Sequence, residues 1–251
     1  TTQGDPMAMI MYGMGIMPLI HALQDESGTR KQVWYADDAA AAGTVESVKS
    51  WWEALKKRGP PYGYFPNQGK TWAIVKREHM QKAKEALDGI EVDIFDEEDS
   101  RQKMKSPKLK ITSQGQRYLG AGLGTREFQK QYLQKKIRGW VEELERLAEV
   151  ATTNPHEAYC CLVKSMVAKW RYVMRLMGDE AHEFEELDKA VEETLLPKML
   201  DRHLHTHERE IFALPTRKGG LAIPIPSKLA GQEKVASDLM TGNTKEKILN
   251  Q

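Results

Sequence analysis

The chain has little of what marks several protein classes. It holds two cysteines in 251 residues, adjacent at Cys160 and Cys161. Two neighbouring thiols build neither a disulfide framework nor a zinc site, so their expected place is helix packing in a reducing compartment. A secretory signal peptide is absent. No apolar run reaches the roughly 20 residues of a membrane span. The nearest, Met7 to Leu23, is 17 residues without a formal charge and carries Gly13, Gly15 and Pro18. It is expected as a helix buried in a soluble core. Internal repeats and low-complexity tracts are missing too. Net charge is only +1, which argues against a strongly basic nucleic-acid binder. Together these absences point to an intracellular protein, cytoplasmic and/or nuclear, with no membrane partner.

The charge that is present is unevenly spread. Residues 101–139 hold 11 Lys or Arg against one acid, Glu127, whereas residues 179–193 hold eight acids and one Lys. A basic block of that density suits phosphate contacts, and it suits a solvated lysine-rich surface equally well. Its candidates for nucleic-acid backbone contact are Lys105, Lys108, Lys110, Arg117, Lys130 and Lys135.

The most informative stretch is 32–43, Gln-Val-Trp-Tyr-Ala-Asp-Asp-Ala-Ala-Ala-Ala-Gly. A β-favouring run leads into two acids and then small residues, the pattern of strand, tight turn and strand. Asp is a common turn residue, and most such pairs are solvated. Two carboxylates held at one tip repel each other, and a hard divalent cation with oxygen ligands relieves this. The chemistry indicated is Mg²⁺ (or Mn²⁺) held by Asp37 and Asp38.

Tyr35-Ala36-Asp37-Asp38 resembles the Tyr-x-Asp-Asp hairpin of reverse transcriptases, and Gln3-Gly4-Asp5-Pro6 resembles the Gln-Gly motif of the same palm domain. The segment 63–71, ending in Lys70-Thr71, is similar to the stretch that follows that hairpin, and Tyr118-Leu119-Gly120 to the primer-grip hairpin. A looser match is Leu214-Pro215 through Gly219-Gly220-Leu221. Ala36 in the variable position fits retrotransposon and intron-type enzymes better than retroviral ones. The resemblance implies two-metal nucleotidyl transfer from a dNTP, on an RNA template and DNA primer. It makes Asp37 and Asp38 catalytic and metal-holding. It places Gln3, Gly4, Tyr35 and Lys70 at template or nucleotide, and Tyr118, Leu119 and Gly120 at the primer. The family's first catalytic aspartate precedes the Gln-Gly motif, and only two residues precede Gln3 here. The expectation is therefore a fragment of a retrotransposon-type RNA-directed DNA polymerase, inactive alone, whose full-length parent synthesises DNA. The alternative is a relic or co-opted fragment that binds nucleic acid or protein and catalyses nothing. A third option, a helical module with a chance hairpin, requires residues 1–125 to lack a sheet.

The expected fold is α+β. A partial palm over 1–125, an antiparallel sheet with packed helices, precedes a helical thumb-like region over 126–215 and a tail over 216–251. Asp5 and Pro6 open the first helix, Thr44 caps 45–58, and Gly59-Pro60-Pro61 stops it. Strands are expected at 71–75, 91–95, 109–112 and 117–119, with a basic helix at 77–87 and an acidic turn at 96–99. Helices follow over 126–150, 155–177 with Asn154 as cap, 180–196 ended or bent by Pro197, and 207–214. The last 25 residues are weakly patterned and expected to fray.

Three look-alikes are set aside. Gly63 to Thr71 has one residue too many for a phosphate-binding P-loop and leads into a strand. Gly120, Gly122 and Gly124 miss the dinucleotide spacing. His203, His205 and His207 alternate within a helical pattern, where only 203 and 207 share a face.

Overall fold

The structure, a computed structural model, describes residues 5–25, 31–93, 103, 105–205 and 207–250. It is α+β. The chain divides into two compact units, residues 1–116 with 243–251, and residues 117–242. Among the described residues no helix is long and apolar enough to cross a membrane.

In the first unit, Asp5 opens helix α1 (Ala8–Asp25) by accepting a hydrogen bond from the Met7 amide at 2.9 Å. Pro18 lies inside the helix without ending it. Only Ile16, Leu19 and Leu23 are fully buried, the face that meets Trp51, Trp52 and Leu55. The expectation of a buried helix is corrected by the other faces. Met7, Met9, Ile10, Met11, Met14 and Met17 are 45% to 72% exposed. A single packing partner covers a single stripe, however apolar the rest of the helix is.

Strands β1 (Lys31–Tyr35) and β2 (Asp38–Ala42) pair antiparallel, from Lys31 opposite Ala42 to Tyr35 opposite Asp38. Thr44 then caps α2 (Val45–Arg58), its hydroxyl oxygen accepting from the Ser47 amide at 3.2 Å. A second sheet follows, made of β3 (Trp72–Ile74), β4 (Ile90–Glu91) and β5 (Lys110–Thr112), with α3 (Met80–Leu87) between β3 and β4. Here β5 lies in the middle, parallel to both neighbours. The expected antiparallel palm sheet carrying the hairpin is thus replaced by a separate two-stranded ribbon and a parallel sheet. The physical reason is α3, a helical crossover that returns the chain in the same direction. The presence of sheets removes the purely helical reading of residues 1–125. Of the strand expected at 91–95 only Glu91 is in a strand, the end of β4; residues 94–95 and the acidic turn expected at 96–99 lie outside the described residues.

The division between units falls within β6 (Gly115–Tyr118), which forms a hairpin with β7 (Ala121–Gly124). Thr125 caps α4 (Arg126–Ala151), accepting from the Phe128 amide at 3.2 Å. The helix expected over 155–177 is present with a π turn, Leu162–Met166, between α5 (Pro155–Cys161) and α6 (Val167–Met177). Asn154 was the expected cap, but its amide donates to the Thr153 hydroxyl at 3.0 Å instead. A second π turn, Ala190–Leu195, joins α7 (Glu185–Lys189) to α8 (Leu196–Leu200). Pro197 therefore does not end the helical path. Proline has no N–H and crowds the carbonyl four residues back, and a widened turn just before it accommodates both defects.

Leu144, Leu162, Trp170, Phe184, Val191 and Leu195 are fully buried in the core of this unit. Residues 216–242 belong to this unit rather than forming a separate tail. The Tyr159 hydroxyl donates to the Leu221 carbonyl at 2.8 Å. Buried Arg209, on α9 (Glu208–Ala213), donates to the carbonyls of Ile223 at 2.9 Å and Pro224 at 2.5 Å. The C-terminal stretch expected to fray is α10 (Pro226–Leu249), with Pro226 and Ala230 buried. Cys160 and Cys161 are exposed rather than packed, because α5 turns Ala158 and the following Leu162 inward.

Candidate functional site

The acidic hairpin is built on a buried amide. Gln32, 5% exposed, donates from Nε2 to the Ile20 carbonyl on α1 at 2.9 Å. Its Oε1 accepts from the indole N–H groups of Trp34 at 3.2 Å and Trp51 at 3.1 Å. Buried polar groups persist when they are bonded, and this one ties β1 to α1 and α2 together.

At the other end of β1, Ala36 and Asp37 are the two central residues of the turn. Ala36 has φ 53°, in the left-handed region that favours glycine. Tight hairpins require such a residue. Asp37 and Asp38 are both exposed, and Tyr35, opposite Asp38, is 64% exposed. The Tyr64 hydroxyl donates to the main-chain carbonyl of Asp37 at 2.9 Å. Its ring stands edge-on to Trp34, with centroids 5.3 Å apart. Tyr12 on α1 also senses the tip. Its own burial first, and the Asp37 charge second, push its phenol up.

The other expected residues are distributed as follows. Gln3 and Gly4 lie outside the described residues. Lys70 is exposed at the end of a short 3₁₀ turn whose Asn67 side chain accepts from the Lys70 amide at 3.2 Å. The strand β3 follows directly, as the stretch after Lys70-Thr71 was expected to do. Lys105 is exposed. Lys108 is paired with Asp88 at 2.7 Å. Lys110 is corrected outright as a surface cation: it is 3% exposed on the central strand β5. Its ammonium donates to the Gly69 carbonyl and lies 5.5 Å from the Trp72 ring centre, and burial pulls its pKa down.

In the second unit, Tyr118, Leu119 and Gly120 do form a hairpin end. Leu119 and Gly120 are its two central residues, with φ 46° and 85°. Tyr132 donates to the Gly120 carbonyl at 2.8 Å, and Tyr172 donates to that of Leu119. Arg117 and Lys135 are exposed. Lys130 is bonded to Glu183 at 3.1 Å, which holds its ammonium above the usual lysine range. Burial pushes the Glu183 carboxyl up, but hydrogen bonds from Gln134 and Lys130 more than reverse this and leave it below its ordinary value.

Three residues that serve the acidic turn escaped notice in the sequence: Gln32, Tyr64 and Tyr12. Tyr64 stood within a quoted motif, yet nothing local reveals that its hydroxyl reaches 27 residues back. Among the described residues no three His, Cys, Asp or Glu side chains group closely enough to share a metal ion. Among the described residues Asp37 and Asp38 stand as a pair. No family model matches the chain, and no curated protein or solved structure is significantly similar to it.

Proposed function

We propose that this chain carries the acidic hairpin of a reverse-transcriptase-type nucleotidyl-transfer site. One observation supports the proposal above others. An exposed two-aspartate turn is engaged from a further stretch of the resemblance, by the hydroxyl of Tyr64 in the 63–71 segment. The donor set suits a hard divalent ion. It offers only carboxylate oxygens, and its exposure leaves room for water and phosphate oxygens to complete the shell. When bound, Mg²⁺ or Mn²⁺ supplies charge that stabilises the transferring phosphoryl group and activates the primer hydroxyl. Asp37 and Asp38 hold it. Tyr35, exposed beside them, meets the template–primer, and Lys70 offers a cation to the nucleotide phosphates.

Two carboxylates are one fewer than two-metal transfer draws on in this family. The chain alone should therefore bind metal and nucleic acid without extending a primer. Manganese titration followed by electron paramagnetic resonance tests the metal reading. Binding should weaken at least tenfold in D37A and in D38A. Equal affinity in the double variant refutes it. Primer extension by this chain with Mg²⁺ and dNTPs should give no product, and product lost in D37A would show that the two acids suffice. The non-catalytic reading, nucleic-acid binding alone, is favoured by exposed Lys105, Arg117 and Lys135. It predicts salt-sensitive duplex binding that D37A leaves unchanged.

A further inference from the structure

The geometry points to Tyr64 as the positioning residue that holds the Asp37–Asp38 turn in its ligand-ready shape, an inference that rests on the metal reading above. The turn needs holding. Ala36 has a left-handed backbone without being glycine, a conformation that crowds the Cβ of an L-residue. Left to itself such a turn relaxes, and adjacent carboxylates that repel each other drive it further.

Tyr64 opposes this through two contacts on one side chain. Its ring seats edge-on against Trp34 in β1, and its hydroxyl crosses to the carbonyl of Asp37. Both ends of the lever are anchored. Trp34 is fixed through its indole N–H to Gln32, which is itself bonded to α1. Tyr64 is fixed by its mount: its amide donates to the Gly59 carbonyl at 3.1 Å. Gly63 just before it has φ 73° and donates to the Pro60 carbonyl at 2.9 Å. Gly59 must be glycine, because a Cβ there would collide with the main-chain carbonyl of Tyr64. The bond falls on the peptide that joins the two aspartates, so it restrains both carboxylates while leaving every carboxylate oxygen available. That is what distinguishes a positioning group from a ligand, and metal sites depend on such groups.

The test is Y64F, which keeps the ring and deletes the hydroxyl. In the full chain, manganese affinity should fall about threefold to tenfold, the loss that follows when one neutral hydrogen bond stops restraining a site. Amide hydrogen exchange at Ala36–Asp38 should accelerate, and other segments of the first unit should keep their rates. A lower melting temperature with unchanged affinity and unchanged exchange at the turn overturns the inference, since Tyr64 is then merely structural. Should Y64F fail to fold, W34L, which removes the seat of the ring and spares the hydroxyl, must weaken manganese binding in the same direction; unchanged affinity there also overturns it. If the D37A/D38A double variant binds manganese like the wild type, the metal reading is the part that fails. Tyr64 is then judged by exchange alone, with acceleration in Y64F supporting its role and no change refuting it.

Discussion

Glu208 shows how one side chain carries a pH dependence. Its carboxylate accepts two hydrogen bonds from Arg202, at 2.6 and 2.7 Å, and one from the His205 amide at 2.8 Å. The guanidinium first, and the amide second, draw its pKa from 4.5 down to about 2. A carboxyl depressed in the folded state stabilises the fold above its unfolded pKa and loses that contribution as pH falls through the folded one. Urea unfolding between pH 4.5 and about 2 should therefore show a decline that E208Q flattens. Lys110 is a cost to the fold rather than a gain. Its ammonium is protonated less readily when buried, so that cost is relieved as pH rises through its lowered pKa. No feature of the Leu-Lys-Ile-Thr run marks that lysine as inward-facing. The strand is covered on both sides, and that covering comes from segments far away in sequence.

Element ends were legible where the signal was local. Asp5 and Thr44 each announce a helix start within three residues, and each does so in the structure. The acidic hairpin was equally readable, because strand, turn and strand follow directly. Parallel pairing of β3, β5 and β4 was not, since their partners lie up to 38 residues apart, from Trp72 to Lys110. Helix α10 was missed because its apolar residues trace no stripe; Leu239 and Met240 are 79% and 84% exposed. Glycines separate the two kinds of element sharply. G120A places a Cβ 2.9 Å from the Tyr172 ring at φ 85° and should destabilise the second unit by about 2 kcal/mol. G139A, inside α4 with nothing within 4 Å, should stabilise it by roughly 0.5–1 kcal/mol. Paired urea titrations would read both signs.

For the molecule as a whole, the basic block from 101 to 139 is uneven in what it offers a partner. Of its six named candidates, Lys110 is buried and Lys108 and Lys130 already hold acids. Duplex binding should then show a log–log salt slope that counts only the cations meeting phosphate, each adding roughly 0.9 to its magnitude. K108A should leave that slope unchanged, whereas K105A should reduce it by about 1. The uncovered methionine faces of α1 have a different outcome in an oxidising setting. A thioether in contact with solvent takes up oxygen from peroxide, whereas one enclosed by neighbours is shielded. Mild peroxide should convert Met7, Met9, Met11, Met14 and Met17, together with Met240 on α10, to sulfoxides first, readable by peptide mass spectrometry, while Met80, Met166 and Met174 lag behind. The five sulfurs at the start of the chain form a sacrificial layer along α1, able to absorb oxidant equivalents before the buried methionines of either core are touched.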